Sequence, residues 1–189
     1  MEKLRRMVAD INSTWATNPA QGELVLLNRT RLDLSPELTI LGCTLWSDLT
    51  CDPSSLAHIT ASVGDFKHIS GFNPEHFRSY HRQDIAWLRG QVDGISKHEP
   101  HRKVVIMTHH APTLEGTSRP DLVGGVRESV YASELSGTDL WRKPVMTWAF
   151  GHTHWSCDFV KEGVRVVSNQ RGRASTQGSG FNPDFVLHL

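Results

Sequence analysis

The sequence predicts a single α/β domain over residues 1–189, and three observations predict it. Short apolar runs at 38–47, 103–108 and 145–150 are too short for core helices and end in polar or turn-forming residues. Two longer segments, 2–16 and 73–98, repeat their apolar residues at helical spacing. Two of the strand runs lead straight into histidine-bearing loops, which is where domains of this class carry function.

In chain order, Leu4, Met7, Val8, Ile11 and Trp15 make residues 2–16 an amphipathic helix, broken by Asn18-Pro19 and Gly22. "ELVLLN" (23–28) and "LTILGCTLWS" (38–47) read as strands, and the polar stretch 48–71 as a surface loop with room for one helical turn. Asn73-Pro74-Glu75 is a helix start: a capping side chain, proline in the first turn, then an acid. Phe77, Tyr80, Ile85, Leu88, Val92 and Ile95 keep one face apolar until Glu99-Pro100 ends the helix. "KVVIMT" (103–108) and "VMTWAF" (145–150) are buried-strand runs joined by a long glycine-bearing loop, a kind of connection that tends to be functional. "CDFV", "KEG" and "VRVVSN" form a hairpin, and "FVLHL" (185–189) a closing strand.

Lys plus Arg and Asp plus Glu both number 20, so the net charge is zero and gives no argument for nucleic acid or an anionic membrane surface. No apolar run approaches the roughly 20 residues of a membrane span, and the first residues lack the apolar stretch of a signal peptide. Cys43, Cys51 and Cys157 are too few and scattered for a disulfide framework. A reducing, cytoplasmic location is the expectation.

Histidine placement is the informative feature. His109-His110 follows one strand run and Gly151-His152-Thr153-His154 follows the next. In extended backbone, residues two apart project to one side, so His152 and His154 would face a common point, aimed by a sharp exit at Gly151. The same geometry sends His109 and His110 to opposite sides, and His109, first past its strand, is the expected third ligand. Three imidazoles plus water suit one divalent cation, with zinc, iron or manganese the candidates. His110 and Asp48 are the expected acid/base groups. His81 and Asp84 are further candidates, read more simply as solvated helix positions, and Arg171 as a solvated turn arginine. Cys157 and Asp158 are explained as hairpin residues.

"VVIMTHHAPT" followed by "WAFGHTHWSCDF" resembles the last two signature blocks of the calcineurin-like metallophosphoesterase superfamily, and "LGCTLWS", "GTSRP", "GVRVVSNQRG" and "GFNP" resemble a branch common in fungi. The resemblance implies two face-to-face sheets flanked by helices, and two metals that activate water against a phosphoester. It carries over the ligand positions His109, His152 and His154. The earlier D-x-H, G-D-x-x-D and G-N-H-D/E blocks are absent from these 189 residues; Asp65 in "VGDF" has no second aspartate at the required spacing. The expectation is therefore an incomplete two-sheet sandwich with one His-ligated metal, whose uncovered apolar face is closed in a homodimer. It would be a metal-dependent hydrolase of a small molecule. The alternatives are a repurposed fold catalysing a cyclisation, dehydration or isomerisation, with Trp46, Trp148 and Trp155 as pocket walls, and a non-enzymatic binding or scaffold protein.

Overall fold

The computed structural model describes residues 1–16, 21–125, 128–172 and 179–189. Its elements are α1 (Glu2–Trp15), β1 (Thr30–Asp33), β2 (Leu38–Cys43), α2 (Pro53–Ser62), α3 (Gly64–His68), α4 (Pro74–His98), β3 (Lys103–Thr108), α5 (Glu128–Tyr131), β4 (Val145–Ala149), β5 (Cys157–Lys161) and β6 (Val164–Ser168). A short 3₁₀ turn at Pro120–Leu122 interrupts the loop after β3.

The strands form one six-stranded sheet in the order β1-β2-β3-β4-β6-β5. Neighbours from β2 through β6 run parallel, and the outer strands β1 and β5 pair antiparallel. Leu41, Ile106, Trp148 and Val166 are consecutive partners across the ladder, and all four are fully buried. Onto this row α4 lays Ile85, Leu88, Val92 and Ile95. Burying each such side chain contributes about 1.5–3 kcal/mol. A second cluster, Leu49, Ile59, Val63, Phe77 and Val130 with Trp46 and Phe72 beside it, joins α2, α4 and α5 above the strand ends. Parallel strands all point their C-terminal ends the same way, so both histidine segments emerge at one edge.

The α/β class and the elements α1, α4, β3, β4, β5 and β6 agree with the sequence reading. Four features differ. First, the described residues hold one sheet, and no second sheet faces it among them. Second, residues 23–28 are not a strand: Thr30 Oγ1 donates to the Leu26 carbonyl (3.0 Å) and Asn12 bonds both backbone groups of Leu24, so local side chains take the place of a ladder. Residues 185–189 are not a strand either; the Arg165 guanidinium meets the His188 carbonyl there. Third, 48–71 contains two helices, and α2 starts where Asp52 accepts from the amides of Ser54 and Ser55 ahead of Pro53. Fourth, β2 stops at Cys43 because Leu45 turns left-handed (φ 66°).

Leu27 lies on the open face of the sheet directly over Gly42, where an added Cβ would stand 2.5 Å from the Leu27 Cβ. Gly42→Ala is expected to destabilise the protein by about 1–3 kcal/mol through overpacking. An unchanged urea midpoint would show that segment 23–28 does not rest on β2.

Candidate metal centre

β3 and β4 lie side by side, and their exits are tied together. The amides of His109 and His110 both donate to the Thr44 carbonyl (3.2 and 3.1 Å), and Gly151 N donates to the His109 carbonyl (3.1 Å). Neither exit is extended. His109 and His110 lie in a bend, so the alternation expected of a strand is lost and both rings turn inward, 5.4 Å apart. The His152 ring packs against both, 4.5 Å from His109 and 4.3 Å from His110. One ring nitrogen from each of His109, His110 and His152 lies within 4.8 Å of the other two.

His154 is not in this group of three. It and His152 both adopt left-handed backbone (φ 56° and 69°), which removes the premise that residues two apart face one side. Gly151 is not the left-handed residue: a Cβ there would meet only His109, at 3.7–3.8 Å. Two left-handed non-glycine residues cost about 1–2 kcal/mol each. Gln170 offsets this. Its Oε1 accepts from His154 N (2.8 Å), and its Nε2 donates to Thr153 Oγ1 (3.0 Å) and the Trp155 carbonyl (2.9 Å). Three hydrogen bonds at about 0.5–1.5 kcal/mol each are of comparable size.

The histidines have distinct environments. His110 is 1% exposed, under Trp46 (5.5 Å) and against the edge of Phe77 (5.8 Å). Burial first, then His152 and His109, hold its pKa well below the usual value, while the Val130 backbone opposes by hydrogen bonding. His152 is lowered to about 4, chiefly by burial and then by His109 and His154. His109, the exposed member, is lowered by burial, with Asp65 opposing the shift. All three are therefore neutral near pH 7, with a lone pair free on each ring.

Two of the ring nitrogens in the group lack partners. His110 Nδ1 and His152 Nε2 are buried and unbonded. A buried polar group left unpaired costs about 1–3 kcal/mol, so the arrangement calls for a ligand. The donor set of three neutral imidazoles fits a borderline divalent cation. Bonds of about 2.0 Å require nitrogens about 3.3 Å apart, a closure of about 1.5 Å at most from the observed 4.8 Å bound.

The other candidates lie elsewhere. Asp48 is exposed, accepts from Thr50 Oγ1 (2.6 Å), and lines a neighbouring hollow with Asp52, Glu128 and Glu134. His81 and Asp84 are not solvated: both are buried on the core face of α4. His81 Nδ1 donates to the carbonyls of Leu45 (3.0 Å) and Trp46 (2.9 Å). Asp84 is raised by burial and faces Arg29 at 3.7 Å. The pair pins the left-handed Leu45 turn that sets Trp46 against His110. Asp158 pairs with Arg165, and the Cys157 thiol sits near Ser168 Oγ (3.7 Å). Arg171 is exposed. Trp148 is a core residue whose Nε1 donates to Thr108 Oγ1 (3.0 Å), while Trp155 is half-buried.

Tyr131 packs on His152 at 5.2 Å and opens onto a hollow of about 410 Å³ lined also by His58, Asp121, Glu128 and Thr153. Tyr131 lies in no quoted motif, and Gln170 stands inside "GVRVVSNQRG" with nothing local to mark its role, because the partners of both are fixed only by the fold.

No protein-family model matches the chain. It is 26% identical over 194 residues to L509, an uncharacterized protein of Acanthamoeba polyphaga mimivirus, a match covering 97% of this chain and 67% of the viral one. Its fold is similar to the crystal structure of phosphopantetheinyl hydrolase from Mycobacterium tuberculosis, with a TM-score of 0.53 and 14% identity over 71% of this chain. The chain spans half of that solved protein and about two thirds of the viral relative. What these comparisons establish is an α/β fold shared with a hydrolase.

Proposed function

We propose that the protein is a metal-dependent hydrolase of a small molecule, with one divalent cation held by His109, His110 and His152. The observation that carries this reading is the pair of buried, unpartnered nitrogens on His110 and His152. Zinc, iron or manganese bound there would supply Lewis acidity toward a substrate oxygen and a water of lowered pKa. The chain's own residues do the rest. Exposed His109 forms the open side of the group, and Trp46 and Phe77 keep water from His110. The hollow beside His152 and Tyr131 receives the substrate. The solved protein of similar fold is described as a phosphopantetheinyl hydrolase, so phosphoesters are the first class to test.

A repurposed, non-phosphoester reaction is the second reading. Asp121 and Glu128 line the hollow, and no Lys or Arg is among its described lining residues. Glu128 disfavours a dianionic phosphate, while Arg119 offsets the charge of Asp121 (2.6 Å).

We also propose that a second copy covers the open face of the sheet. Central strands of a parallel sheet are ordinarily covered on both faces. Here Met107 on β3 is 39% exposed, beside a hollow of about 420 Å³ that reaches His109. Elemental analysis of protein purified without chelator, combined with sedimentation, tests both proposals. About one metal equivalent per chain and a dimer mass are expected, with turnover of small esters lost to chelation and restored by metal. Metal-free protein would sink the hydrolase reading, and a stable micromolar monomer the dimer.

A further inference from the structure

The structure assigns Gln170 the role of a positioning residue: its side chain clamps the 153–155 turn and thereby sets how tightly the histidine group binds a divalent cation. This rests on the metal-centre reading above. His152 and His154 hold backbone conformations that non-glycine residues seldom adopt. Left to itself, "GHTHW" would relax toward extended backbone and swing the His152 ring away from His109 and His110. Nothing in the turn's own sequence prevents this; Thr153 N reaches only the Gly151 carbonyl (2.8 Å).

Gln170 comes from the segment after β6 and bonds three successive residues at 2.8–3.0 Å, one as acceptor and two as donor. Its own backbone is fixed in turn, since Gln170 N donates to Ser156 Oγ (2.8 Å) and Ser156 N donates to the Ser179 carbonyl (2.7 Å). Ser168 Oγ at the end of β6 also donates to the Trp155 carbonyl (2.6 Å), but only the Gln170 amide reaches Thr153 and His154, beside the ring of His152. Only an amide supplies both a donor and an acceptor in this pattern. A carboxylate of the same shape would set a negative oxygen against the Trp155 carbonyl. Preorganising a ligand turn raises affinity by removing the cost of ordering it on binding.

The test is titration of the apo protein with Co(II), followed by its visible ligand-field absorption, with zinc competition to give affinities. Gln170→Met keeps the volume and removes all three hydrogen bonds. It is expected to weaken Co(II) and zinc binding by about 10–100-fold and to alter the Co(II) spectrum. Thr153→Val removes one of the three bonds and is expected to weaken binding by a few-fold without changing the fold. If wild-type protein binds no Co(II), the metal-centre reading fails. If wild-type protein binds and Gln170→Met binds equally tightly with the same spectrum, the positioning role is overturned. Should Gln170→Met not fold, Thr153→Val decides: unchanged affinity overturns the role, and weakened affinity supports it.

Discussion

His152→Ala and His110→Ala are each expected to lose the bound metal, with affinity falling by more than about 100-fold, whereas His154→Ala retains most of it. Replacing a partner outside the coordination shell typically costs 10–100-fold, so removal of a ligand must cost more. The contrast between His110 and His154 is the decisive one. Alternation in an extended chain groups His154 with His152 and sends His110 away. The bends in the structure do the opposite: the ring nitrogens of His109, His110 and His152 cluster within 4.8 Å, and His154 is not in that group. Metal content after gel filtration, with circular dichroism to confirm folding, reads the difference directly. If His154→Ala emptied the site and His110→Ala left it full, the ligand set would be the one that the extended-chain geometry implies. His110→Ala also opens a hole beneath Trp46 and Phe77, so metal content is compared only among variants that remain folded.

What the sequence disclosed, and what it hid, follow from the range of the forces involved. β3, β4 and the β5–β6 hairpin were legible because burial leaves a local pattern of apolar residues, and α4 because its cap and stripe lie within its own segment. The same stripe places His81 and Asp84 at i+4 and i+7 from Phe77, on the buried face, so helical spacing alone argues against solvated positions. Asp52-Pro53-Ser54-Ser55 was likewise a readable helix start. The two-residue periodicity of a strand holds only up to the last ladder pair of β3 and β4, Met107 and Ala149. Beyond it, contacts from Thr44, Gln170 and Val130 decide where rings point, and those residues come from distant parts of the chain. The elements were written locally; the aim of the histidines was not.

Three neutral imidazoles packed together must take up protons against burial and against each other, so metal-free protein should lose stability as the pH falls below 6.5. The sign follows from linkage. A group whose folded pKa is depressed contributes stability above its unfolded value, and that contribution is lost as pH falls through the window between the two. For His152 the window runs from about 6.5 to about 4. The shift corresponds to about 3 kcal/mol, an upper figure because some solvent reaches the ring. His110 acts in the same direction. The carboxylates held low by arginines, such as Glu99 beside Arg31 and Asp158 beside Arg165, contribute only at lower pH, when they titrate in the unfolded chain below about 4.5. Asp84, raised by burial, opposes the trend at the acid end. Urea unfolding of chelated protein between pH 7.5 and 5 therefore isolates the histidines. A midpoint that declines steadily across that interval, and declines less in His152→Ala, is the expected result; a flat profile would mean that the rings separate in solution and never form the group. Saturating zinc should raise the midpoint at pH 7.5 and lose its effect toward pH 5, because protons and cation compete for the same nitrogens.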